Sequence, residues 1–243
     1  MTVALHSLSH MDATNAALWA NTLAVFDLET TGIDVDVSRI VTAHVGVLGA
    51  DGEVLEQREW LVDPGIEIPT AASVIHGVTT ERARLEGQSA ATAVGEIIAA
   101  LADAAERGLP IVAYNAAYDL TILEREAARY GLAPLPGPGP VIDPLVIDKA
   151  VDRYRRGKRT LSAAAEHYGV VLDDAHNAGA DAIAAGRVAQ AIARAHPELA
   201  TVAVAELHAR QVDWCREQAE SYQSWRRRNG EPEFTTSGAW PVR

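Results

Sequence analysis

From Leu23 to Glu29 the chain alternates so that Val25, Asp27 and Glu29 share one face of a strand and Ala24, Phe26 and Leu28 share the other. Gly32, after Thr30 and Thr31, can take positive φ and end that strand in a turn. Two further strands read over Arg39 to Leu48 and Val54 to Val62. The segment Ala50-Asp51-Gly52-Glu53 joins them, and its Asp-Gly pair favours a tight hairpin, which predicts an antiparallel pair beside the first strand. Pro64 to Glu86 mixes Pro, Gly and short helical turns before helical spacing sets in from Ala90 to Arg107. A buried strand from Pro110 to Ala113 then leads into a helix over Ala117 to Tyr130. A Pro/Gly-rich loop from Pro134 to Pro140 precedes the short strand Val141-Ile142. Helices follow at Pro144 to Val151 and Leu161 to Tyr168. A longer helix opens at His176 and runs to about Ala195, and a last helical segment runs from Pro197 to Arg228. The pattern predicts an α/β fold, a mixed five-stranded sheet with helices on both faces. No internal repeat interrupts it.

A length of 243 residues suits one such core with some chain left over. The predicted division is a helical or disordered extension over 1–21, a main domain over 22–195, and a helical extension and tail over 196–243. Cys215 is the only cysteine, so no disulfide forms within the chain, and no basic start followed by an apolar run opens it. These features lead us to expect a soluble protein of a reducing cytoplasm. Charged residues and glycines break every apolar run before the roughly 18 residues of a membrane span, so no membrane is expected as a partner. The net charge of -12 argues against broad electrostatic capture of a polyanion. Positive charge is nevertheless concentrated locally, at Arg153, Arg155, Arg156, Lys158 and Arg159 and again at Arg226, Arg227 and Arg228.

At a strand rise of about 3.3 Å per residue, Asp27 and Glu29 sit roughly 6 to 7 Å apart, and two anions so placed repel unless a cation intervenes. Their hard oxygens suit Mg²⁺ or Mn²⁺, although the same pair also suits a solvated strand end. The turn at Thr30-Thr31-Gly32 should leave amides and hydroxyls free beside the acids, able to grip a sugar hydroxyl. Asp119 falls in the first turn of its helix, where a carboxylate also simply favours the helix N-terminus. In His176-Asn177-Ala178-Gly179-Ala180-Asp181, the small Ala178 lies one turn before Asp181 and leaves room for His176 to lean toward the same site. An imidazole titrates near neutrality and can take a proton from water while the carboxylates stay ionised on a metal.

The segments Phe26 to Gly32, Asn115 to Asp119 and His176-x-Ala-x-x-Asp181, in that order, resemble the three motifs of the DEDDh 3'-5' exonucleases. That family includes the proofreading epsilon subunit of bacterial DNA polymerase III, oligoribonuclease and RNase T. The likeness spans about residues 22 to 195 and implies a ribonuclease-H-like fold. It further implies that Asp27, Glu29, Asp119 and Asp181 bind two divalent ions, Mg²⁺ or Mn²⁺, with His176 as general base. By the same resemblance, Leu28, Thr30, Thr31, Ile75, His76, Asn115 and Tyr118 lie beside the terminal nucleotide. Tyr114 departs from the histidine often found before the asparagine of the second motif. The implied activity is release of nucleoside 5'-monophosphates from nucleic acid 3' ends, with single-stranded DNA favoured and short RNA as the alternative. A polymerase is a further candidate partner. An inactive nuclease-fold module docked on a polymerase or nucleic acid is the rival from another class. Residues 197–243 lie outside the resemblance, and the oligomeric state stays open.

Overall fold

The computed structural model describes residues 18–137, 139–172 and 176–243. Strand β1 (Leu23–Thr30) pairs antiparallel with β2 (Ile40–Leu48), which pairs antiparallel with β3 (Val54–Asp63) across the expected Asp51-Gly52 hairpin. Two short helices, α1 (Thr70–His76) and α2 (Thr80–Glu86), lead to β4 (Gln88–Ser89) and the long helix α3 (Ala90–Glu106). Next come β5 (Ile111–Val112), α4 (Ala116–Arg129), β6 (Val141–Ile142), α5 (Pro144–Val151), α6 (Leu161–Tyr168) and α7 (Ala178–Ala195). The chain closes with α8 (Pro197–Ala200) and α9 (Val204–Arg228).

Among the described residues the sheet has six strands in the order β4-β3-β2-β1-β5-β6, with β1 near its centre. The expected five become six because Gln88 and Ser89 run parallel to the end of β3, pairing with Val62 and Asp63. Two residues carry no alternation to read. Close approach of backbone at the preceding Gly87 allows the pairing, since a Cβ there would lie 2.6 Å from the Asp63 nitrogen.

Alternation along β1 divides the core. Phe26 and Leu28 pack into the layer under α3 and α4, while Leu23 and Val25 pack under α7. Each fully buried large side chain contributes roughly 1.5 to 3 kcal/mol. Helix α7 lies close to the sheet because its inner face is Ala and Gly. A Cβ on Gly186 would stand 2.5 Å from Val25 and 2.6 Å from Leu48. The carboxylate face of β1 therefore opens only where α7 begins.

Several boundaries differ from the sequence reading. Helix α7 starts at Ala178, with the Asn177 side chain accepting from the Gly179 and Ala180 amides, so His176 precedes the helix in a left-handed conformation, φ 71. The last helical segment breaks between Ala200 and Val204, where Val202 turns inward. Of the expected N-terminal extension, residues 1–17 lie outside the described residues. Leu18–Ala20 form one 3-10 turn, whose Trp19 is buried and donates from Nε1 to the Leu199 carbonyl.

Strand β6 forms one edge of the sheet, and α9 saturates it with side chains. His208 Nδ1 accepts from the Val141 amide at 3.0 Å. Gln211 Nε2 donates to the Val141 carbonyl at 3.0 Å, and its Oε1 accepts from the Asp143 amide at 2.6 Å. Beyond α9 the tail returns to the core, burying Trp240 and placing the Arg243 amide on Thr121 Oγ1.

Candidate active site

Four acids from three elements and one histidine from the loop before α7 converge at the end of β1. Asp27 and Glu29 come from the strand, Asp119 from the first turn of α4, and Asp181 from the first turn of α7. Asp119 Oδ1 accepts from the Leu28 amide at 3.2 Å, which ties α4 to the strand between the two strand acids. Asp181 Oδ2 accepts from the His176 amide at 3.2 Å and so holds the loop that carries the imidazole. Glu29, His176 and Asp181 each offer one ligand atom, and the three atoms lie within 4.8 Å of one another.

The electrostatics describe the same cluster. Burial pushes the Asp27 carboxyl well above the usual carboxylate range, and the charges of Asp119, Asp181 and Glu29 push it further. Glu29 is pushed up to about 7, by burial and then by Asp181. Burial also raises Asp119, against the opposing Leu28 N–H, and Asp143 and Glu29 add to the rise. Such a cluster holds either protons or a cation. Carboxylate oxygens fit a hard divalent ion, and the crowding of like charge is the observation that fits it.

The residues expected beside a nucleotide surround the cluster. Thr30 Oγ1 and the Tyr118 hydroxyl both reach the Gly32 carbonyl, at 2.7 and 2.5 Å, and meet each other at 2.6 Å. Thr31 Oγ1 accepts from the Arg39 amide at 3.0 Å. These hydroxyls, read from sequence as free, instead hold the turn, because each finds a backbone partner across it. Leu28 is buried in the core, so it meets the site only through its backbone. His76 accepts at Nδ1 from the Val78 amide; burial lowers its pKa, and contacts with the His76 and Thr30 backbone offset part of that. Ile75, beside it on α1, is exposed. Asn115 takes a left-handed conformation, φ 66, at the start of α4. Tyr114 points away from the cluster and donates to the Arg159 carbonyl.

Two further residues support the site. Asp143 is buried and accepts from the Asn115 and Ala116 amides at 3.0 and 2.9 Å, capping α4 from outside the helix. Burial raises its pKa while those amides, Leu145 and Trp240 oppose the rise. His44 stands opposite Asp27 in the β1–β2 register and is fully buried, with Nδ1 3.4 Å from Glu59 Oε1. A Cβ on Gly179 would lie 2.8 Å from that Glu59 oxygen and 3.1 Å from His44 Nδ1, so the pair sits directly beneath the start of α7. Only register reveals His44. Asp143 carries a weak local signal, an Asp before Pro at a helix start.

Comparison with known proteins gives a consistent picture. The family model described as Exonuclease matches residues 24–189. The chain is similar to DNA polymerase III PolC-type of Lacticaseibacillus paracasei, 29% identical over 168 residues, which cover 69% of this chain and 11% of that protein. It is similar also to a DNA polymerase III subunit epsilon-like protein of Rhodobacter capsulatus, 30% identical over 185 residues, or 73% of this chain and 24% of that one. The chain thus spans only a small part of these relatives. Among solved structures, exonuclease I superimposes with a TM-score of 0.64 at 20% identity, over 74% of this chain and 42% of that one. Escherichia coli exonuclease I in complex with a dA16 oligonucleotide gives 0.63 at 20% identity, with the same coverage of both chains.

Proposed function

The chain belongs to the exonuclease family, and from that membership we propose that it is a metal-dependent 3'-5' exonuclease releasing nucleoside 5'-monophosphates, with single-stranded DNA as its favoured substrate. The observation that carries the reading is the convergence of Asp27, Glu29, Asp119 and Asp181 with His176, three of them within 4.8 Å by their ligand atoms. Two divalent ions, Mg²⁺ or Mn²⁺, held by the four acids would supply charge neutralisation at the phosphate and an acidified water. His176 takes the proton of the attacking water at its imidazole nitrogen. Water oxygen bonds to phosphorus while the bond from phosphorus to the 3'-oxygen of the penultimate nucleotide breaks, and that oxygen leaves and takes a proton from solvent to become the new 3'-hydroxyl. Thr30, Thr31 and Tyr118, cross-linked through Gly32 and Arg39, shape the wall that receives the terminal nucleoside together with Leu28, Ile75, His76 and Asn115. Asp143 keeps the start of α4 fixed, and with it Asp119. Residues 22–195 carry these side chains, and residues 196–243 pack back on them through Gln211 and Trp240. The polymerase relatives support a polymerase as working partner.

The test is hydrolysis of matched DNA and RNA single strands labelled at the 5' end. Stepwise shortening with release of 5'-mononucleotides, abolished by chelator and by a blocked 3' terminus, is expected, with DNA the faster substrate. Cleavage of a circular strand would refute the polarity, and faster cleavage of RNA would reassign the substrate. No helix among the described residues is long and apolar enough to cross a membrane.

A further inference from the structure

Helix α9 lies beyond the family match, yet one of its faces has the composition of a ligand surface. Trp214, Gln218, Tyr222, Trp225 and Arg228 recur every three or four residues and therefore share one stripe. Aromatic stripes at this spacing normally mark a core. Here Tyr222 is 45% and Trp225 52% exposed, and their rings lie near-parallel, 15° apart, with centroids 6.1 Å from each other. The stripe forms one wall of a groove of about 580 Å³ whose other wall is the segment from Lys149 to Arg159.

Five cationic residues and a single carboxylate, Glu217, line that groove. Arg155 and Arg159 are anchored to the buried Asp148 at 2.5 and 2.7 Å and form a fixed back wall. Lys149, Arg153 and Arg228 line the groove and make no ion pair among the described residues, although burial lowers the pKa of Lys149. The neighbouring arginines of α9 are used otherwise: Arg226 pairs with Glu231, and Arg227 donates to the Phe234 carbonyl. Thus a basic run that reads from sequence as one patch divides into two structural arginines and one groove arginine. At its inner end the groove shares Lys149, Gln218 and Tyr222 with a smaller cavity of about 160 Å³, which reaches Asn115 at the start of α4. The two cavities thus share part of their lining between the start of α4 and the basic, aromatic groove.

We propose that this groove is the track of a single nucleic-acid strand, whose nucleotides upstream of the 3' terminus stack on Tyr222 and Trp225 while their phosphates meet Lys149, Arg153 and Arg228. Unstacked bases offer π-faces to exposed rings regardless of sequence, and closely spaced cations track a phosphate backbone. A net charge of -12 disfavours general capture of nucleic acid, so a strand settles where positive charge is concentrated locally. The direction of the strand, 3' end at the acids and upstream nucleotides along α9, rests on the exonuclease reading above.

The test is fluorescence anisotropy of an end-labelled oligothymidylate of about 20 nucleotides, with oligouridylate in parallel, on the full chain in excess chelator so that binding is read without hydrolysis. Trp225→Ala should weaken binding about 5- to 100-fold. Arg153→Ala should lower the slope of log affinity against log salt by about 0.7, the loss of one phosphate contact. With Mg²⁺ added, both variants should lose kcat/KM on the long strand relative to a trinucleotide. Either polymer satisfies the proposal, and the tighter one identifies the sugar. Unchanged strand affinity in both variants, or equal affinity for polyglutamate, overturns it. Groove-dependent binding by a protein that hydrolyses no strand would sink the exonuclease reading and leave the groove standing.

Discussion

Replacing Asp27 by Asn should stabilise the metal-free protein while destroying its activity. The carboxamide keeps the size of the side chain but cannot ionise, so it removes the charge on which Asp119, Asp181 and Glu29 all bear. Glu29, whose own rise comes from burial and Asp181, serves as a yardstick for one raised carboxylate of this cluster: its folded value of about 7 stands against an ordinary 4.5, and each unit is worth about 1.4 kcal/mol. The ceiling is thus about 3.4 kcal/mol, reduced to about 1 to 2 kcal/mol by solvent screening at this partly exposed group. Because folding raises this pKa, its stabilisation is complete below about pH 4.5 and is lost as pH rises through about 7. Asp27 and Asp119 shift in the same direction. Asp148 opposes them, since hydrogen bonds from Arg159, Tyr168 and Arg155 outweigh its burial and lower its pKa. The informative quantity is therefore the difference between Asp27→Asn and wild type. Thermal unfolding in chelator should show that difference growing between pH 5 and 8, to a Tm gain of about 2 to 8 °C. Mg²⁺ at about 100 times its Kd should raise the wild-type stability by about 2.7 kcal/mol and leave the variant nearly unmoved. A pH-independent difference, a variant less stable than wild type in chelator, or equal stabilisation of both by Mg²⁺ would refute the reasoning.

His176→Ala should keep Mg²⁺-dependent thermal stabilisation, because the four acids remain, while kcat falls about 10² to 10⁴-fold in a strand-shortening assay. Gly186→Ala should cost about 1 to 3 kcal/mol in a denaturant titration, since its Cβ would meet Val25 and Leu48 at 2.5 to 2.6 Å; a neutral result would mean that α7 does not rest on the sheet so closely. Gln211→Leu leaves the Asp143 amide and the Val141 carbonyl buried without that partner, at about 1 to 3 kcal/mol each, and the same titration measures it.

What the sequence revealed depended on how local the determining physics was. Strand β1, the Asp-Gly hairpin and helices α5 and α6 are fixed by alternation, a turn dipeptide and capped starts: Asp143 before Pro144, and Thr160 before Leu161. Asp27, Asp119 and Asp181 are expected together from the resemblance of their motifs to one family, and the structure brings them close enough to add to the rise that burial gives the Asp27 pKa. Features decided by pairing across the fold were not readable. The placement of His44 under the start of α7 follows from strand register, the two-residue β4 from what lies beside β3, and the division of Arg226 to Arg228 from Glu231 and Phe234 in the returning tail. The hydroxyls of Thr30 and Thr31 read as available because Tyr118, which meets Thr30 beside the Gly32 carbonyl, and Arg39, which meets Thr31, arrive from elsewhere in the chain.

The way α9 closes the sheet edge bears on where the nuclease unit really stops. The family model's match ends at residue 189, well before the side chains of His208 and Gln211 meet β6. A fragment cut at the end of α7 would retain Asp27, Glu29, Asp119, His176 and Asp181, yet it would present bare strand amides and carbonyls ready to zip onto another molecule. It would also strip Asp143 of the Trp240 indole and hand its own amide to solvent, loosening the clamp on α4. Such a fragment should fail by self-association and by drift of Asp119 before it fails in chemistry. In any transplant of this nuclease onto another protein, α9 and its tail belong to the graft.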